Sequence, residues 1–200
     1  SGLILPIGEI VLEKACREAI NWPVSSRVSV NLSPIQFRDR GLALKVAKIL
    51  KETGLPASRL ELEITEASLL DDSFDNMQLL RDLRATGIRI VMDDFGTGYS
   101  SLSYLQKMPI DGIKIDRSFV ADLDQPGPGL TLIRSIVAMA HALRMGVVAE
   151  GVETDFQMSQ LVTTGCDELQ GFRLGRPEPE AVALTRYLTE VDGSRMCEPL

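Results

Sequence analysis

Six apolar runs of strand length in this 200-residue chain end in a polar or charged side chain: Asn31, Glu63, Asp93 with its neighbour Asp94, Lys114, Glu150 and Gln170. The run at 88–102, I-R-I-V-M-D-D-F-G-T-G-Y-S-S-L, places two adjacent carboxylates at the end of a buried strand. Such neighbours repel each other unless a cation or a shared proton relieves them. A surface turn capped by Asp94 is one reading, and a metal site is the sharper one. Asn31, Glu63, Asp93, Asp94 and Glu150 offer oxygen donors with no thiol or imidazole among them. Hard donors of this kind select Mg²⁺ or Mn²⁺ over zinc. Four carboxylates in one mouth would hold two divalent ions with one aspartate bridging, a pairing that clamps a phosphodiester and activates a water. Lys114 would orient that water or stabilise developing negative charge. Its alternative role is a salt-bridge partner for the carboxylates. Glu66 and Glu153 stand just past their strands, either as outer support for the ligands or as ordinary helix-start acids.

The elements that must position these groups alternate along the chain. Apolar periodicity predicts helices over 9–22, 42–53, 74–86, 102–108, 130–144 and 179–190, with a further one opened by the Thr154/Gln157 capping box. Strands are predicted over 28–31, 60–65, 112–116 and 147–149, with another leading into Asp93 and a last one in 168–174. Gly54, Gly87, Gly146 and Gly165 close helical patterns just before strands and read as left-handed caps. This alternation implies an α/β fold with a parallel sheet and right-handed crossovers. An open doubly wound sheet concentrates ligands at one switch point. Here every strand end carries a candidate, which favours a TIM-like (β/α) barrel with its site at the C-terminal strand ends. Six strands are visible where such a barrel has eight, and six would leave two bare edges. The expectation is a barrel domain over 1–190 that lacks its N-terminal strands, followed by a frayed tail over 191–200.

Composition narrows the class. The chain is 44% hydrophobic and 24% charged, ordinary for a globular protein, and its net charge of −7 argues against duplex nucleic acid as a partner. No apolar run reaches the length of a membrane span and no secretory signal opens the chain, so a cytoplasmic location is expected, with any membrane tether in segments outside this sequence. Cys16, Cys166 and Cys197 are odd in number and widely spaced, as reduced thiols would be. His141, the one histidine, lies in an apolar helical pattern and reads as a satisfied helix residue. Asp94-Phe95-Gly96 spells a kinase triplet but lacks its partner motifs. Gly96-x-Gly98 is a weak dinucleotide signal because Ser101 takes the third glycine position.

Seven stretches together resemble the EAL family of bacterial cyclic di-GMP phosphodiesterases. They are L-I-L-P-I-G-E (3–9), V-N-L-S (30–33), L-E-L-E-I-T-E (60–66), D-D-F-G-T-G-Y-S-S-L (93–102), K-I-D-R-S-F-V (114–120), V-V-A-E-G-V-E (147–153) and Q-G-F (170–172). The resemblance implies a TIM-like barrel that cuts cyclic di-GMP to linear pGpG with two Mg²⁺ or Mn²⁺ ions. It implies metal-ligand roles for Asn31, Glu63, Asp93, Asp94 and Glu150, and a water-activating role for Lys114. It makes Glu66 the anchor of the D-D-F-G-T-G loop, which couples dimer contacts to the metal site. Glu153 and Gln170 match residues important to the active site, and Asp116 lies toward the guanine-binding side. The family's G-Y-x-F-x-R-P is G-F-R-L-G-R-P here, a departure in the guanine pocket.

The E-A-L-x-R signature is absent, since it would precede Ser1, and with it go a metal-binding glutamate and a phosphate-holding arginine. Impaired turnover by this chain is therefore expected. A homodimer and upstream sensory or GGDEF domains are implied as partners. The alternative is an inactive EAL-like sensor of cyclic di-GMP or a signalling scaffold. The intact D-D pair and Glu66 argue against that degeneracy.

Overall fold

A computed structural model describes residues 2–69, 74–98, 102–125 and 127–185. The expected tail over 191–200, residues 186–190 of the last helix, Cys197 and the Tyr99-Ser100-Ser101 part of the glycine-rich motif lie outside the described residues. The strands are β1 (Val28–Leu32), β2 (Leu60–Thr65), β3 (Arg89–Phe95), β4 (Gly112–Ile115), β5 (Gly146–Ala149) and β6 (Glu168–Leu169). The helices are α1 (Ile4–Ala19), α2 (Pro34–Phe37), α3 (Leu42–Thr53), α4 (Glu66–Leu69), α5 (Phe74–Ala85), α6 (Leu102–Leu105), α7 (Arg117–Ala121), α8 (Gly129–Ala142) and α9 (Asp155–Val162). Residues 180–185 are also helical.

The strands pair in sequence order, β1 to β6, and every pairing is parallel. Their composition explains why. Leu60, Leu62, Ile64, Ile90, Met92, Ile113, Ile115 and Val147 are wholly buried, as in a sheet covered by helices. Each such side chain contributes roughly 1.5–3 kcal/mol on leaving water. The sheet is curled. Arg27, just before β1, pairs with Glu168 of β6, and Trp22 Nε1 donates to Glu180 Oε1 at 2.8 Å. Among the described residues the curl remains open between β1 and β6, a six-stranded half-barrel of TIM-like construction.

Register is what places the chemistry. Asn31 lies opposite Glu63, and Thr65 opposite Asp93. The polar strand ends therefore line up along one edge of the sheet. Strand β3 carries both aspartates within it and runs to Phe95, with a register shift against β4 between Met92 and Phe95. A shift of that kind re-aims side chains next to a site.

Several boundaries differ from the sequence expectation. Helix α1 begins at Ile4 rather than at residue 9, with Pro6 in its first turn, where the missing amide donor costs nothing. Gly54, Gly87 and Gly165 take left-handed conformations as expected. Gly146 does not. It opens β5, and the left-handed turn is made two residues earlier by Arg144, with φ 62°. Among the described residues, no helix is long and apolar enough to cross a membrane.

Candidate active site

Lys114 projects from β4 into the midst of the acidic strand ends. Its Nζ lies 2.9 Å from Glu63 Oε1 on β2 and 3.9 Å from Asp93 Oδ1 on β3, and it contacts the Glu150 carboxylate just beyond β5. Lys114 is 5% exposed and Glu63 6%. Three carboxylates thus surround one ammonium with little water between them, where charge interactions are much stronger than at the surface.

The titration behaviour follows from this crowding. Burial pushes the Glu63 carboxyl up; the Lys114 charge opposes that, and Asp93 and Glu150 add to it. Burial alone would depress Lys114, but its bonds to Glu150 and Glu63 outweigh that and raise it to about 12. Asp94 is also raised, first by burial and then by the charges of Asp93 and Asp116. Asp116 goes the other way: burial would raise it, but the Ser118 hydroxyl and amide that it accepts prevail. Acids driven up by burial, and further by one another's charge, mark a place that favours a cation.

The backbone holds the aspartate pair in a demanding shape. Asp94 adopts φ 55°, the left-handed region that a non-glycine residue enters only when its surroundings dictate it. Asp93 Oδ1 accepts the Asp94 amide at 3.0 Å, and the Asp94 carbonyl accepts the Thr97 hydroxyl at 2.8 Å. Glu66, 2% exposed at the start of α4, fixes the loop that follows: its Oε2 accepts the amides of Gly96 at 3.1 Å and Gly98 at 3.2 Å.

The expected residues do not all converge. Asn31 is in register with Glu63 but exposed. The Glu153 side chain is exposed, and its amide is held by Gln157 Oε1 at 2.8 Å. Gln170 is likewise exposed, yet its backbone ties the mouth together, donating to the Ala149 carbonyl at 2.9 Å and accepting from Val152 at 3.0 Å. Sequence reasoning did not single out Arg117, whose charge acts on both Asp94 and Asp116. Nor did it single out Gly151, at φ +72°, where a Cβ would come 2.5 Å from Arg117 Cβ. In the departing G-F-R-L-G-R-P segment, the Arg176 guanidinium sits 4.5 Å from the centre of the Phe172 ring.

The donor set fits a hard divalent cation, since the groups gathered at the mouth are oxygen donors. Among the described residues, no three or more His, Cys, Asp or Glu side chains close on a point as a metal cage. The carboxylates gather instead on the Lys114 ammonium.

Comparison with known proteins finds relatives in sequence and in fold. A family model described as the EAL domain matches residues 1–177. The Pseudomonas aeruginosa protein MucR, a bifunctional diguanylate cyclase/cyclic di-GMP phosphodiesterase, is 43% identical over 183 residues, covering 90% of this chain and 27% of its own length. The Escherichia coli cyclic di-GMP phosphodiesterase PdeR is 37% identical over 190 residues, covering 94% of this chain and 29% of its own. This chain thus spans about a quarter of the length of the curated relatives it matches. Among solved structures, the PaMucR phosphodiesterase in complex with cyclic di-GMP superposes with a TM-score of 0.87 at 42% identity, covering 92% of this chain and 76% of that one. The Klebsiella pneumoniae protein BlrP1, solved with manganese and cyclic di-GMP, gives a TM-score of 0.76 at 29% identity, covering 84% and 43%.

Proposed function

This chain belongs to the EAL domain family, and from that premise we propose that it hydrolyses cyclic di-GMP to linear pGpG by metal-assisted phosphodiester cleavage. The observation that carries the reading is the Lys114–Glu63–Asp93–Glu150 cluster at the strand ends, with Lys114 and Glu63 buried at its centre. It stands in a fold shared with a relative solved with cyclic di-GMP.

Asn31, Glu63, Asp93, Asp94 and Glu150 are the residues that would hold two Mg²⁺ or Mn²⁺ ions. When bound, such ions polarise the phosphoryl oxygens and lower the pKa of a water. Hydrolysis would add a water to phosphorus and break one phosphorus–oxygen bond of the ring, with the proton released ending on the freed 3′ hydroxyl. In the metal-free protein the Glu63 and Glu150 carboxylates favour the charged form of Lys114. As an ammonium it would donate hydrogen bonds and stabilise negative charge at the phosphate. Glu66 keeps the loop after β3 in place through two backbone amides, and so fixes where Asp93 and Asp94 present their oxygens. Asp116, its carboxyl already committed to Ser118, borders the guanine-binding side. Glu153 and Gln170 contribute at the rim. A cytoplasmic homodimer fused to sensory or cyclase domains is the wider setting of this reading, and the bifunctional name of MucR supports its cyclase part.

A cyclic di-GMP sensor without turnover is the second reading, favoured by the absence of a closed ligand cage among the described residues. Incubation of cyclic di-GMP with the protein and Mn²⁺, followed by chromatography, separates the two. Release of pGpG that stops in Glu63→Ala supports the enzyme, whereas binding without product supports the sensor.

A further inference from the structure

Lys114 is the buried cation at the centre of the acidic cluster, and its three carboxylate neighbours come from β2, from β3 and from just beyond β5. Glu63 belongs to β2, Asp93 to β3 and Glu150 follows β5, so without a cation the sheet would press three like charges together at one edge. We infer that Lys114 is the internal counter-cation that holds these carboxylates together in the metal-free protein, and that a divalent ion loads by displacing its ammonium from them. The inference rests on the metal assignment made above.

Geometry supports it from two sides. The ammonium contacts oxygens of Glu63 and Glu150, the same groups that would face a metal ion, so the two cations compete for shared acceptors. Removing a carboxylate from water is costly unless a positive partner is present. Lys114 is that partner for Glu63, which is 6% exposed. Arg117 cannot substitute for it. It is exposed, and its charge is felt at Asp94 and Asp116 on the outer side of the mouth. One ammonium among three carboxylates also leaves an excess of negative charge, so the cluster holds together while retaining attraction for a more highly charged ion. Lys114 is thus a positioning residue for the ligands, in addition to any part it plays at the phosphate.

The test is binding of Mn²⁺ alone, without substrate, to the wild-type protein, Lys114→Met and Lys114→Arg, read by calorimetry and by the electron paramagnetic resonance of free Mn²⁺. Lys114→Met keeps the length and removes the charge. Its metal-free form is expected to melt at a lower temperature, and its Mn²⁺ affinity to rise roughly tenfold, the size of an ordinary coupling between two sites. Lys114→Arg keeps the charge and is expected not to gain affinity. Should Lys114→Met fail to fold without metal, a structure of the wild-type protein with Mn²⁺ gives the second readout: the ammonium withdraws beyond salt-bridge distance from Glu63 and Glu150. Unchanged or weaker Mn²⁺ binding by folded Lys114→Met, or a Mn²⁺-loaded wild type that keeps both contacts, overturns the inference while leaving the metal assignment standing. No Mn²⁺ binding by either protein overturns both.

Discussion

The Gly98 amide donates to Glu66 Oε2 at 3.2 Å, from a position where a methyl group on Gly98 would come within 2.6 Å of the same carboxyl group. The loop after β3 therefore closes on a buried carboxylate that a methyl group at Gly98 would have to displace. Gly98→Ala must push the loop or Glu66 aside, and overpacking of this kind costs roughly 1–3 kcal/mol. Urea unfolding is expected to show that loss, together with weakened metal binding, because the displaced loop directly follows the end of β3 that carries Asp93 and Asp94. Glu66→Ala leaves the Gly96 and Gly98 amides without their acceptor and is expected to reduce turnover by a similar route.

Gly151 gives a second backbone test. It sits at φ +72°, and an alanine there would add left-handed strain to a close approach of 2.5 Å to Arg117 Cβ. Gly151→Ala is expected to destabilise the protein by about 1–3 kcal/mol and to disturb Glu150 beside it. Thermal melting reads the first effect and Mn²⁺ titration the second.

Lys114 predicts an alkaline limit for the metal-free protein. Its pKa is raised from an ordinary 10.5 to about 12 in the folded state. The folded state holds that proton more tightly, so the stabilisation is complete below pH 10.5 and is lost as pH rises through about 12. Urea midpoints of the metal-free protein between those values should fall for the wild type and stay flatter for Lys114→Met.

Asp167 predicts an acid limit. Its carboxylate accepts from His141 Nε2 at 3.0 Å and from the Val147 amide at 2.7 Å. The His141 bond, then the Val147 amide, hold its pKa below the ordinary carboxylate value despite partial burial. Stability from this group is present above the ordinary value and disappears as pH falls through the lowered one. Asp167→Ala should be less stable near neutral pH and show a smaller further loss on acidification, checked by melting curves at successive pH values.

What the sequence disclosed depended on the range of the interaction. The alignment of Asn31, Glu63, Asp93, Lys114 and Glu150 was legible because each ends an apolar run, and parallel pairing brings such ends to one edge. Two roles were open for Lys114, and its contacts to Glu63 and Glu150 establish the salt-bridge role in the metal-free protein. The left-handed turn at Arg144 was not legible. A glycine two residues on was the better local candidate, but α8 ends earlier, and the Met145 amide closes it by donating to the Ala140 carbonyl at 2.9 Å across Arg144. Arg117 and Gly151 escaped notice because their contact joins segments more than thirty residues apart. Gln170 stood out as a strand end and Glu153 as an acid just past its strand, and the structure leaves both side chains at the solvent.

The most direct measurement is cyclic di-GMP hydrolysis by the full-length protein with Mn²⁺, set against Glu63→Ala and Asp93→Ala variants that remain folded. The account predicts pGpG release that requires the metal and falls by orders of magnitude in both variants. Full turnover by either variant, or wild-type turnover undiminished by removal of divalent ions, would contradict it.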